Sequence, residues 1–189
     1  LWVDTEGRQG VTYQRVAEWG LDPACIVLPG ADGLGEIDLA RPGTAAQIAR
    51  QAVASGAGLV VIDSLSGGHS LDENSAVLRV FLKECQQAAR DNDLALLLVH
   101  HAAKRGQLQP PEMTLDRLRG SSTISQFAVS VLALDRPDEG SKRTRLRVLK
   151  ANLGETPEPL GFQLDGGSFP LWGTAPEKPV ILTPDERAR

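Results

Sequence analysis

Cysteine is scarce: Cys25 and Cys85 are the only two in 189 residues. They stand far apart and neither lies in a CxxC or Cys/His spacing, which excludes a disulfide framework or a thiolate zinc site and points to a reducing, cytoplasmic setting. Long apolar runs are missing too. Nothing approaches the roughly 18 continuous apolar residues of a membrane span, and no basic region followed by an apolar signal segment opens the chain. An excess of one charge is likewise absent. The formal net charge of -4 gives no general attraction to nucleic acid or anionic lipid, so any such contact requires a local basic patch.

What is present suffices for one sizeable core, with about two-fifths apolar residues. The reading is one domain over residues 1–168 and a Pro-rich tail or linker over 169–189. The chain opens on Leu1, already inside the apparent strand "LWVD" and without Met, so it reads as a fragment whose natural upstream part is missing.

Short β-rich runs alternate with helical patterns, the signature of βαβ units and a mostly parallel sheet. After "LWVD", loose spacing predicts a helix from Val11 to Trp19, and "LDPACIVLPG" a second strand ending at Pro29 and Gly30. Thr44 to Ala54 reads as a helix, followed by the strand "GLVVID". "SLDENSAVLRVFLKECQQAARDND" predicts a helix burying Val77, Phe81, Cys85 and Ala88, with Ser70 and Glu73 as its capping box. "LALLLVHH" reads as a strand buried on both faces. Beyond the charged loop from Lys104 to Arg119, "FAVSVLALDR", "TRLRVLKAN" and "LGFQLDGG" predict an antiparallel extension that completes the sheet.

Several strands end on chemistry. Asp4 and Glu6 follow "LWV", Asp63 follows "LVVI", and His100 and His101 follow "LLLV". In open parallel sheets ligands bind beyond the carboxyl ends of the strands, and four apolar residues followed by Asp is the form of a Walker B strand. Asp63 would then hold Mg²⁺ through water, because Mg²⁺ resists full dehydration. The same Asp63 equally suits a cap on the following turn, and Asp4 and Glu6 equally suit solvated strand ends. The adjacent histidines point to opposite faces of a strand, so only one can face a ligand there, and the two cannot share a metal ion.

Five segments in order, "LWVDTEG", "GLVVIDSLSGGHSLDENS", "LLLVHHAAKRG", "LRGSSTISQFAVSVLAL" and "LRVLKANLGE", resemble the RecA-like ATPases. Within them the chain is similar to the RepA type of hexameric replicative helicase and its AAA_25 relatives. The resemblance spans roughly Leu1 to Gly167 and implies ATP and Mg²⁺ as cofactors, single-stranded DNA as partner and a homo-oligomeric ring. By that resemblance Glu6 polarises the attacking water, a positioning role suited to phosphoryl transfer. Asp63 and Ser64 belong to the nucleotide and metal site, and His100 or His101 to a sensor of the γ-phosphate. Arg119, in "LRGSS", follows a basic segment with Lys104, Arg105 and Arg117 that suits a DNA-facing loop; lacking aromatics, it would act on the backbone. Lys150 matches a residue that reaches a neighbouring subunit's γ-phosphate. Where many relatives read K-x-R this chain has Lys150, Ala151 and Asn152, so a trans arginine would come from Arg119 or Arg147. Arg145 and Arg147 otherwise read as the exposed face of an antiparallel strand.

The phosphate cradle G-x-x-x-x-G-K-[ST] does not occur, nor does any Gly-Lys pair. In the resembling family that loop precedes the "LWVDTEG" strand, and its amides and Lys supply most of the β- and γ-phosphate binding. Two other readings stay open: a nucleotide-responsive regulatory or scaffold protein on the same fold, and a metal-dependent hydrolase using Asp63 and the histidines. These 189 residues alone are expected to bind ATP weakly and not to hydrolyse it. Calorimetry on the isolated chain checks this, and micromolar binding would contradict it.

Overall fold

The computed structural model describes residues 1–27, 37–68, 76–102, 113–117, 122–136, 142–163 and 171–175. The chain divides into two compact units, Leu1–Lys104 with Leu115–Ala128, and Arg105–Thr114 with Val129–Arg189.

The first unit is built on a three-stranded parallel sheet of β1 (Trp2–Asp4), β2 (Leu59–Asp63) and β3 (Ala95–Leu98), in that spatial order. Val60, Val61 and Ile62 are buried in succession, as expected of a central strand covered on both faces. Helices α2 (Thr44–Ala54) and α3 (Ala76–Asp91) pack together. Ile48 and Ala52 of the former join Leu78, Phe81, Leu82 and Cys85 of the latter around Val60 and Ile62. Gly43 precedes α2 with φ of 84°, a left-handed conformation that glycine adopts without a Cβ penalty. Helices α1 (Gln9–Glu18) and α4 (Ser122–Phe127) complete this unit.

Some sequence expectations need correction, and others fall outside the described residues. The buried stripe of α3 is rotated: Val77 is 41% exposed, while Leu78 and Leu82 lie in the core. Both choices fit a 3.6-residue period, and only the direction of the neighbouring sheet decides between them. The capping box at Ser70 and Glu73 lies outside the described residues. Strand β3 is not covered on both faces, since Leu97 is 42% exposed. Around Pro23–Cys25 the chain forms a 3₁₀ turn. Val27 then packs against the core and accepts on its carbonyl from the Trp2 amide at 2.8 Å; Pro29 and Gly30 fall outside the described residues.

The second unit carries an antiparallel sheet in the order β4 (Ser130–Asp135), β5 (Arg143–Ala151), β6 (Leu160–Gln163) and β7 (Leu171–Thr174). Among the described residues it is a separate sheet, not a continuation of the parallel one. The last strand comes from the stretch read as a tail: Leu160 pairs with Thr174 and Gln163 with Leu171. Four residues are too few to show periodicity, and their pairing with β6 is what makes them a strand. Residues 176–189 of the expected tail are not among those described.

Arg145 and Arg147 do not form an exposed face. Arg145 is 8% exposed and donates through Nε and Nη2 to Asp135, at 2.9 and 3.0 Å. The Nη2 of Arg147 donates to Asp135 at 2.9 Å and to the Met113 carbonyl at 2.7 Å. Burial works against the Asp135 charge, but the bonds from Arg145, the Met113 amide and Arg147 outweigh it and hold the carboxyl below its ordinary value. This carboxylate therefore contributes stability that is full above the ordinary Asp pKa and is lost as pH falls through the lowered folded value. Asp135→Asn leaves two guanidinium groups without their counter-charge and is expected to cost about 3 kcal/mol. Chemical denaturation across acid pH checks this: the variant should lose that acid dependence, and unchanged stability would contradict it.

Candidate functional site

Parallel pairing places Trp2 beside Val61, Val3 beside Ile62 and Asp4 beside Asp63. Two carboxylates thus arrive at the carboxyl ends of adjacent strands. The ladder runs one step further, since the Thr5 amide donates to the Asp63 carbonyl at 2.9 Å. Beyond it the side chain of Thr5 takes over: Oγ1 donates to the Ser64 carbonyl at 2.6 Å and accepts from the Ser64 amide at 2.9 Å. The peptide between Asp63 and Ser64 is cis.

Asp4 closes a local turn by accepting the Glu6 amide on Oδ1 at 2.8 Å. Glu6 then faces the end of β2, where its Oε1 accepts from Ser64 Oγ at 2.7 Å. His101 Nε2 lies 2.9 Å from the same oxygen and donates to it when that nitrogen carries the proton. Arg8 approaches Oε2 at 3.4 Å but is largely exposed, so it adds little.

The glycines after β2 follow from this packing. A Cβ on Gly67 would lie 2.7 Å from Thr5 Oγ1 and 3.1 Å from Glu6 Cγ, and one on Gly68 would lie 2.4 Å from Leu39 Cδ1. The strand thus gives way to a tight 3₁₀ turn, Ser66–Gly68, whose Gly67 amide donates to Ser64 Oγ at 3.2 Å.

The electrostatics separate the two carboxylates. Hydrogen bonds from His101 and then Ser64 hold Glu6 below the ordinary Glu value. Asp63 is pushed above its ordinary value, first by burial and then by the charges of Glu6 and Asp4. Asp4 Oδ2 is buried without a hydrogen-bond partner. A rim with this much uncompensated negative charge suits a cation, and a single carboxylate at Asp63 suits Mg²⁺, which keeps most of its waters. Among the described residues no group of three His, Cys, Asp or Glu side chains could hold a metal ion by itself.

Of the residues singled out in the sequence, Glu6, Asp63, Ser64 and His101 thus lie at one rim of the first unit. His100 follows the end of β3 and is half-buried. Lys150 lies on β5 in the second unit, opposite Val131. Arg119, with Lys104 and Arg105, is outside the described residues. Arg147 has its guanidinium engaged with Asp135 and Met113. Thr5 escaped sequence reasoning; the signal was a hydroxyl residue next to each key carboxylate, in "DTE" and "DSL".

Parallel strands between helices, with acidic groups gathered at their carboxyl ends, define a RecA-like α/β fold. A sequence profile of the AAA_25 family, described as an AAA domain, matches residues 1–107, and the chain belongs to that family. Solved structures agree on the fold. The KaiC-like protein PH0186 of Pyrococcus horikoshii OT3 superposes with a TM-score of 0.64 at 16% identity, over 91% of this chain and 75% of that one. A DnaB-like replicative helicase, solved in a study of its interactions with primase, gives 0.53 at 19% identity over 68% of this chain and 34% of its own. A third structure, solved as an ATPase domain, gives 0.51 at 17% identity over 63% of this chain and 47% of that one. The chain therefore spans less than half the length of these last two structures. No curated protein matches the sequence, and no described helix is long and apolar enough to cross a membrane.

The coupling between the carboxylates is directly measurable. In Glu6→Gln the Asp63 carboxyl should titrate lower than in the parent, because a repelling charge is gone; in His101→Ala the Glu6 carboxyl should titrate higher. Carbon-detected NMR titration reads both, and unmoved midpoints would contradict the arrangement.

Proposed function

We propose that this chain is the ATP-hydrolysing core of a DNA-stimulated motor, a helicase of the replicative RecA-like type. The observation that carries the reading is the convergence of Glu6 and Asp63 at the carboxyl rim of two adjacent parallel strands, in a member of the AAA_25 family. In this reading Asp63 would help to hold Mg²⁺, and the bound metal would supply charge neutralisation on the nucleotide's phosphates. Glu6 accepts a hydrogen bond from the attacking water and orients it; its lowered pKa keeps it ionised and able to accept. Ser64 Oγ and His101 fix the direction of that carboxylate. Departure of the γ-phosphate would be felt first by the His100–His101 end of β3.

The finer parts of the proposal rest on resemblance. They are a homo-oligomeric ring, single-stranded DNA in its channel, and Lys150 with Arg119 reaching a neighbour's phosphate. The likeness to a DnaB-like replicative helicase supports the helicase class of the reading. These 189 residues hold no G-x-x-x-x-G-K-[ST] loop, and the reading needs the phosphate contacts that such a loop supplies, so the test is made on a full-length gene product.

The test is ATP turnover with and without single-stranded DNA. Glu6→Gln and Asp63→Asn are each expected to lower kcat by about 100-fold or more, the scale of a lost positioned base or charge-stabilising group. Turnover unchanged by both would end the site assignment. Nucleotide binding with no turnover in the parent protein would favour the regulatory or scaffold reading on this fold.

A further inference from the structure

The end of β1 and the end of β2 are joined by more than their ladder. A threonine hydroxyl closes a ring with the backbone of one residue, accepting from its amide and donating to its carbonyl at 2.9 and 2.6 Å. That residue, Ser64, is fully buried. It follows Asp63 directly and gives its own hydroxyl to Glu6, while Thr5 directly precedes Glu6. The two bonds therefore tie the backbone carrying one carboxylate to the backbone carrying the other. Space around the tie is reserved: a Cβ at Gly67 would press on Thr5 Oγ1 at 2.7 Å, too close for any packed atom.

We propose that Thr5 is a positioning residue, one that touches no reactant but sets the placement of Glu6 relative to Asp63 through its two bonds to Ser64. The proposal rests on the ATPase reading above, and it adds a residue that the resemblance does not supply. A valine at this position keeps the branched shape and loses both bonds, whereas serine keeps the hydroxyl and loses only a methyl. Misplacement of a reacting group by about 1 Å costs on the order of 100-fold in rate, with little effect on binding made elsewhere.

The experiment uses the full-length protein and compares the parent with Thr5→Val, Thr5→Ala and Thr5→Ser. Steady-state turnover is measured together with direct binding of a non-hydrolysable ATP analogue. Thr5→Val is expected to lower kcat by about 10- to 100-fold while analogue affinity changes by less than about threefold, under half a pKd unit; Thr5→Ser should keep most of the activity. Thr5→Ala, which loses the same two bonds without introducing a new contact, should reproduce the valine split and keeps the test decisive if Thr5→Val does not fold. Thr5→Val with parental kcat overturns the proposal, as does Thr5→Ser failing as badly as Thr5→Val, which would assign the role to the methyl group. Unchanged turnover in Glu6→Gln and Asp63→Asn is a separate result: it removes the ATPase reading itself.

Discussion

The site depends on one constraint, the in-register parallel pairing of β1 with β2. Side chains on paired strands emerge at the same level, so pairing Val3 with Ile62 puts Asp4 beside Asp63 without further instruction. A slip of one residue would send one of the two carboxylates to the opposite face of the sheet. The register is held by burial, since Val3, Val60 and Ile62 are nearly inaccessible to solvent, and by the hydroxyl tie between Thr5 and Ser64 where the ladder ends. Packing fixes the strands, and two short hydrogen bonds carry that order one residue beyond them.

Electrostatics then divides the labour. Three acidic groups at one rim repel each other, and the fold relieves that strain unevenly. Glu6 receives two hydrogen bonds and is held ionised. Asp63 receives burial and two negative neighbours, so its charge is costly unless a cation arrives. The second unit shows the opposite solution, with Asp135 buried against two arginines of its own sheet. A carboxylate that builds structure is paired within the protein, whereas one that builds a site is left partly uncompensated.

The strong apolar runs made the architecture legible in the sequence. "LVVID" is the central strand with its terminal Asp at the rim, and Thr44 to Ala54 forms the helix its spacing predicted. Legibility failed where a neighbour decides. Leu78 and Val77 are both apolar and adjacent in α3, and only the sheet selects Leu78. β7 exists because β6 offers it an edge. Arg145 and Arg147 read as exposed because only the register of β5 on β4 sets them against Asp135. Within the site, acidic and imidazole groups could be picked by residue type, but Thr5 could not, because its role arises only when two strand ends meet.

The most direct measurement is a structure of the full-length protein bound to Mg²⁺ and a non-hydrolysable ATP analogue. The metal should lie over the carboxyl end of β2 with Asp63 in its inner or water-bridged shell, and Glu6 should hydrogen-bond a water in line with the γ-phosphate. Phosphates bound at the amino ends of the strands, or a metal whose ligands exclude Asp63, would contradict this placement of the site.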